Sequence, residues 1–203
     1  MKKIFIVLIA LASTIMGKAQ NNELSSEELD SWKERCQEII EAFQYGLEII
    51  GDKSQEKAVK QHYKENILEF FMGKGEPYYL MVDGVNKRQE PVSMQVSSLN
   101  RKEPRSVQLK NYLNDIENMK YKHVKISKAR TCVISNFYPV DGMYIATVTI
   151  FQVFEGYGGE MRTYRDKTQK DIKVYLHKVT DGNLGEFWDL KLGDINVVAT
   201  EKF

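Results

Sequence analysis

From Tyr121 onward the chain runs in long stretches of β-branched and aromatic residues, broken only at Asp141-Gly142, Gly156-Tyr157-Gly158-Gly159 and Asp181-Gly182. Asp-Gly pairs tolerate the positive φ values that tight hairpins demand, so each break turns the chain back on itself. The spacing predicts strands over 124–137, 143–154, 162–179 and 187–198. These form an antiparallel meander of about four long strands.

In the third of these strands Ile172, Val174 and Leu176 alternate with Asp171, Lys173, Tyr175 and His177, which marks one face for a core. In the last, the alternation changes phase across Gly193-Asp194, from Trp188, Leu190 and Leu192 to Ile195 and Val197. A β-bulge accounts for that change and bends the sheet.

The N-terminal half has a different period. Ser25 and Glu28 stand at capping-box spacing, and Leu29, Trp32, Cys36, Ile39, Ile40, Phe43, Leu47 and Ile50 then recur every three or four residues. A long amphipathic helix ends at Gly51-Asp52, and a second runs from Ser54 to the stop at Gly73-Lys74-Gly75. Strands are predicted over 77–82 and 92–96, and a third helix over 106–119. The fold class expected is α+β, three N-terminal helices packed on a curved antiparallel sheet of about four to six strands.

Residues 1–19 read as a secretory signal peptide: Lys2 and Lys3, an apolar run from Ile4 to Met16, and small residues at Gly17 and Ala19. Cleavage after Ala19 makes the mature chain a single domain over 20–203, periplasmic or secreted. Removing Lys2, Lys3 and Lys18 from 29 basic residues leaves 26 against 28 acidic ones. That balance argues against a nucleic-acid surface. The run at Ile4–Met16 is too short to span a bilayer, so no transmembrane segment is expected after cleavage.

Two cysteines, Cys36 and Cys132, stand on apolar faces. In an oxidising compartment they form either a disulfide or two buried thiols. His62, His123 and His177 have no metal-ligand spacing, and no phosphate loop or serine elbow occurs. No cofactor or metal is expected.

Tyr164, Asp166, Thr168 and Lys170 ahead of Ile172, Val174 and Leu176, followed by Trp188-Asp189-Leu190-Lys191-Leu192-Gly193-Asp194-Ile195, resemble the final strands of exported envelope proteins in the nuclear transport factor 2-like, or cystatin-like, α+β cone superfamily. The resemblance covers roughly Ser25 to Val198. It implies a sheet closing over helices around a concave pocket, and an accessory or binding role beside other envelope domains. Some enzymes of the superfamily isomerise, cyclise or dehydrate small molecules in the cone, with an Asp or His base and a Tyr or Asp donor.

His177 and Asp189, on strands joined by one hairpin, are the acid–base pair the chain offers, but a surface cross-strand pair is the favoured reading and no catalytic residue is expected. Tyr144, Tyr157, Tyr164 and Trp188 are the aromatic candidates for holding a ligand. The function expected is a non-catalytic, exported binding or accessory domain of the cell envelope, holding a partner protein or small ligand. A small-molecule isomerase, lyase or hydrolase is the alternative, and a homodimer through the segment 131–137 is a third reading.

Overall fold

Ser25 opens the first helix as its spacing requires: its hydroxyl accepts from the Glu28 N–H, and the Glu28 carboxylate accepts from the Ser25 N–H. The computed structural model describes residues 23–127 and 132–202, so the leader read as a signal peptide lies outside the described residues. Helix α1 spans Ser26–Gly51 and buries Cys36, Ile39, Ile40, Phe43, Leu47 and Ile50. Helix α2 (Lys57–Glu69) starts three residues later than expected. Asp52 holds the intervening turn by accepting from both the backbone and the hydroxyl of Ser54, each at 2.8 Å.

The segment between α2 and the third helix holds four short strands: β1 (Tyr78–Val82), β2 (Val85–Gln89), β3 (Ser93–Val96) and β4 (Arg105–Gln108). Strands β1 and β2 form a separate hairpin through Asp83 and Gly84, both at positive φ. Strand β4 takes the residues expected to open the third helix, because Arg105–Gln108 pair with β3 instead. Helix α3 is therefore shorter, Leu109–Glu117. Only two of the three helices precede the first strand.

Strands β5 (His123–Ser127) and β6 (Val133–Ile134) overlap the single strand expected over 124–137, and β7 (Tyr138–Val140) follows it. Each pairs with a different part of one long partner, β8 (Met143–Tyr157). Pro139 supplies no N–H to a ladder, and the Ser135 hydroxyl takes up the Thr147 N–H between β6 and β7. Residue 131, in the segment read as a dimer surface, lies outside the described residues.

Beyond β8 come β9 (Arg162–Asp181) and β10 (Gly185–Glu201), giving the order β4-β3-β10-β9-β8-β5. The Asp181-Gly182 break is a longer loop than expected. The Asp181 carboxylate accepts from the Asn183 and Leu184 N–H groups, and the positive φ falls on Gly185. The sheet is curved and mostly antiparallel, with one departure: β3 meets β10 in parallel at Met94 and Ile195.

The register of β10 on β9 shifts between Leu192 and Ile195, where the phase change placed a bulge. The bulge frees the Asp194 carboxylate to accept from both the backbone and the hydroxyl of Ser93, which fixes the start of β3. Residues from α1, α3 and β8 to β10 share one buried core. Each Ile or Leu fully buried there contributes roughly 1.5–3 kcal/mol, more than helix propensity supplies. Among the described residues, no helix is long and apolar enough to cross a membrane.

Candidate functional site

The registers of β8, β9 and β10 sort their side chains into two faces. On the inner face Tyr144, Ala146 and Val148 stand opposite Leu176, Val174 and Ile172, and all six are buried apolar residues of the core. Further along the same face the chemistry changes. Lys170 stands opposite Ile150, Thr168 opposite Gln152, Asp166 opposite Phe154 and Tyr164 opposite Gly156.

Gln152, Asp166, Thr168 and Lys170 are each at most 8 % exposed, so this polar stretch faces the interior. It forms one wall of a cavity of about 540 Å³, a size suited to a small molecule. Tyr112, Ile116 and Met119, at the α3 end, form the facing wall, and the segment 97–101 flanks the opening with Arg101. Lys120 stands exposed near the mouth.

Aromatic rings line part of this space. Tyr121, Phe154 and Tyr164 form a triangle with ring centroids 6.1–6.3 Å apart. Gly156 makes room for it, since a Cβ there would stand 2.6 Å from the Tyr121 ring. The Tyr164 hydroxyl donates to Asp166 Oδ2 at 2.5 Å and accepts from the Leu99 N–H at 3.2 Å. One phenol thus ties the 97–101 segment to the floor of the cavity. The Ser97 and Thr200 hydroxyls are bonded at 2.5 Å and anchor the start of that segment to β10.

Burial dominates the electrostatics. It raises the Asp166 carboxyl above the ordinary aspartate value, against the opposing effects of the Tyr164 hydrogen bond and the Lys170 charge. Burial also pulls the Lys170 ammonium down to about 8, with Asp166 partly offsetting it. The Tyr164 hydroxyl is pushed up to about 12, first by burial and then by its bond to Asp166. Burial, followed by the Asp166 charge, raises the Tyr112 hydroxyl as well. A carboxyl, an amine and two phenols therefore share one poorly hydrated space.

Of the residues singled out from sequence, Tyr164 alone reaches this cavity. His177 and Asp189 are directly opposite in register but belong to the outer face with Tyr175 and Lys191. Asp189 Oδ2 pairs with Lys191 Nζ at 3.1 Å, and His177 Nε2 is buried without a hydrogen bond. Burial lowers the His177 pKa, the nearby Asp189 charge opposing it.

Tyr144 and Trp188 pack edge to face, 5.4 Å apart, at the apolar end of the inner face. The Leu24 N–H donates to the Tyr144 hydroxyl there, at 2.8 Å. Tyr157 stacks on His123 with centroids 4.5 Å apart and donates to Glu155, away from the cavity lining.

Cys36, buried, and Cys132, half-buried, stand as free thiols. Burial, then the neighbouring Cys132, pushes the Cys36 thiol up to about 12. Burial, then Glu41, pushes Cys132 to about 11. Among the described residues no group of three or more His, Cys, Asp or Glu side chains is arranged to hold a metal ion.

Asp166, Thr168, Lys170, Gln152, Tyr112 and Tyr121 are the site residues that sequence reasoning passed over. A usable signal existed, because 164, 166, 168 and 170 share the parity of Ile172, Val174 and Leu176. Comparison with known proteins adds no label to this arrangement: no family model, no curated protein and no solved structure matches the chain.

Proposed function

We propose that the protein is an exported binding domain of the cell envelope that holds a small amphiphilic molecule in the cavity between α3 and the polar end of β8 and β9. The observation that carries this reading is the change of the inner face at Lys170 from close-packed aliphatics to buried polar groups beside an aromatic triangle. Burying polar groups with imperfect pairing costs roughly 1–3 kcal/mol each. Here Asp166 and Thr168 are bonded to Tyr164 and Thr200, and the open space beside the four gives a ligand's polar groups further partners. Export rests on residues 1–19 and a pocket in a sheet-and-helix cone on the nuclear transport factor 2-like resemblance.

The test uses 8-anilinonaphthalene-1-sulfonate, an aromatic anion, with the purified mature chain. Saturable one-to-one fluorescence is expected, abolished by Thr168→Phe, which fills the cavity, and kept by Thr147→Phe on the outer face. Equal binding by both variants overturns the reading. Fractionation of cells expressing the full chain checks export separately.

Asp166 favours the second reading, catalysis on a small molecule by an isomerase, lyase or hydrolase. A buried carboxyl raised above the ordinary aspartate value and bonded to a tyrosine is a group suited to taking and returning a proton. Turnover of any bound small molecule that Asp166→Asn abolishes without loss of binding would establish it.

A further inference from the structure

Lys170 is the group in this cavity with the most reactive chemistry. It sits on the inner face of β9 with its side chain 8 % exposed and lining the open space. Among the described residues Asp166 acts on it as a Coulomb partner, and the two form no contact ion pair. The second buried lysine, Lys60 on α2, lies outside the cavity lining. The charged and titratable groups that share the cavity with Lys170 are Asp166, Tyr112, Tyr121, Tyr164, Arg101 and Lys120.

The geometry points to Lys170 as a nucleophilic amine that condenses with a small aldehyde or ketone in this cavity, forming an imine. This inference rests on the reading of the cavity as a small-molecule site. The lysine nitrogen attacks the carbonyl carbon, the carbonyl electron pair moves to oxygen, and a proton shed by the nitrogen passes to that oxygen to give a carbinolamine. That hydroxyl then leaves as water, taking through Asp166 the second proton that nitrogen gives up as it forms the C=N bond. One amine and one carbonyl become one imine and one water, and nothing is oxidised or reduced.

Three features of the site suit that chemistry. An amine must be neutral to attack, and a lysine titrating at about 8 rather than 10.5 has roughly 300 times more neutral form near pH 7. Asp166 lies on the same face of the same strand, where burial raises its carboxyl above the ordinary aspartate value and places it to relay a proton. Tyr121, Phe154 and Tyr164 supply flat apolar surface for the body of an aromatic or unsaturated carbonyl compound.

The test uses 2,4-pentanedione, which condenses with a neutral lysine amine to an enaminone absorbing in the near ultraviolet, with loss of water. Peptide mass mapping of the treated full chain is expected to find Lys170 modified at pH 7 at least roughly tenfold faster than surface lysines. Its rate should rise with a midpoint near 8. Lys170→Met and Lys170→Arg should lose the fast phase with unchanged circular dichroism, and Lys60 should stay unmodified in the folded chain.

Modification spread over surface lysines with Lys170 untouched overturns the proposal. So does a midpoint near the ordinary lysine value of 10.5. If the naphthalene sulfonate binds as expected and the diketone spares Lys170, the imine chemistry fails alone. If neither reagent enters, the cavity reading fails with it.

Discussion

Tyr164 and Asp166 occupy the same face of β9, two residues apart, and the phenol donates to the carboxylate at 2.5 Å while accepting from the Leu99 N–H. The hydroxyl touches both the floor of the cavity and the segment beside its mouth.

Tyr164→Phe leaves the ring in the aromatic triangle and removes both hydrogen bonds. Stranding a buried carboxylate oxygen costs about 1–3 kcal/mol, read as a lower midpoint in urea denaturation. The Leu99 amide should exchange with solvent faster, and the Asp166 carboxyl should titrate higher than in the parent chain. Unchanged exchange at Leu99 would show that the segment is held by something other than this phenol.

Lys170→Met replaces a buried amine by an apolar chain of similar length. Lowering a lysine from 10.5 to about 8 corresponds to roughly 3 kcal/mol of destabilisation at neutral pH, so the variant should be more stable by about 1–3 kcal/mol. The sign is set by proton binding: between pH 8 and 10.5 the unfolded chain holds the Lys170 proton and the folded chain releases it, so this group's penalty fades as pH rises through that window. Subtracting the variant's stability curve from the parent's isolates the effect from other lysines and tyrosines. The difference should be largest below pH 8 and close to nothing above 10.5.

Gly156→Ala adds a Cβ 2.6 Å from the Tyr121 ring. The ring must move, at a cost of about 1–3 kcal/mol. Because Tyr121 lines the cavity, naphthalene sulfonate binding should weaken along with the melting temperature.

Both cysteines should resist a thiol reagent in the native state. Their thiols titrate at about 12 and about 11, so at pH 8 almost no thiolate exists to react. Ellman's reagent should count two thiols once guanidinium unfolds the chain, and Cys132, half-buried, should react before Cys36.

What the sequence made legible follows from how local each signal is. The capping box at Ser25 and Glu28 involves four consecutive residues, and the bulge at Gly193-Asp194 announces itself as a change of parity. Strand β2 was also within reach, since Asp83-Gly84 is the same turn chemistry as Asp141-Gly142. The division of the described residues of 123–140 among three strands was not, because each piece is defined by which part of β8 it meets.

The cavity stayed hidden for a related reason. Alternating polar residues such as Asp166, Thr168 and Lys170 read as a solvated strand face until the opposing wall is known, and that wall comes from Tyr112 and Ile116 on α3, some fifty residues away. His177 and Asp189 show the converse case. Their pairing was anticipated, yet their odd parity relative to Ile172 and Leu176 put them on the face opposite the space where chemistry could occur.

The parallel contact of β3 with β10 joins residues about a hundred positions apart, at Met94 and Ile195. During synthesis, β3 must wait for its neighbour until translation has run through β10, and any polypeptide ending earlier leaves Met94 and Val92, both buried in the finished fold, uncovered. The pairing of β3 thus closes a loop of about a hundred residues, and that edge of the sheet is complete only when β10 is in place.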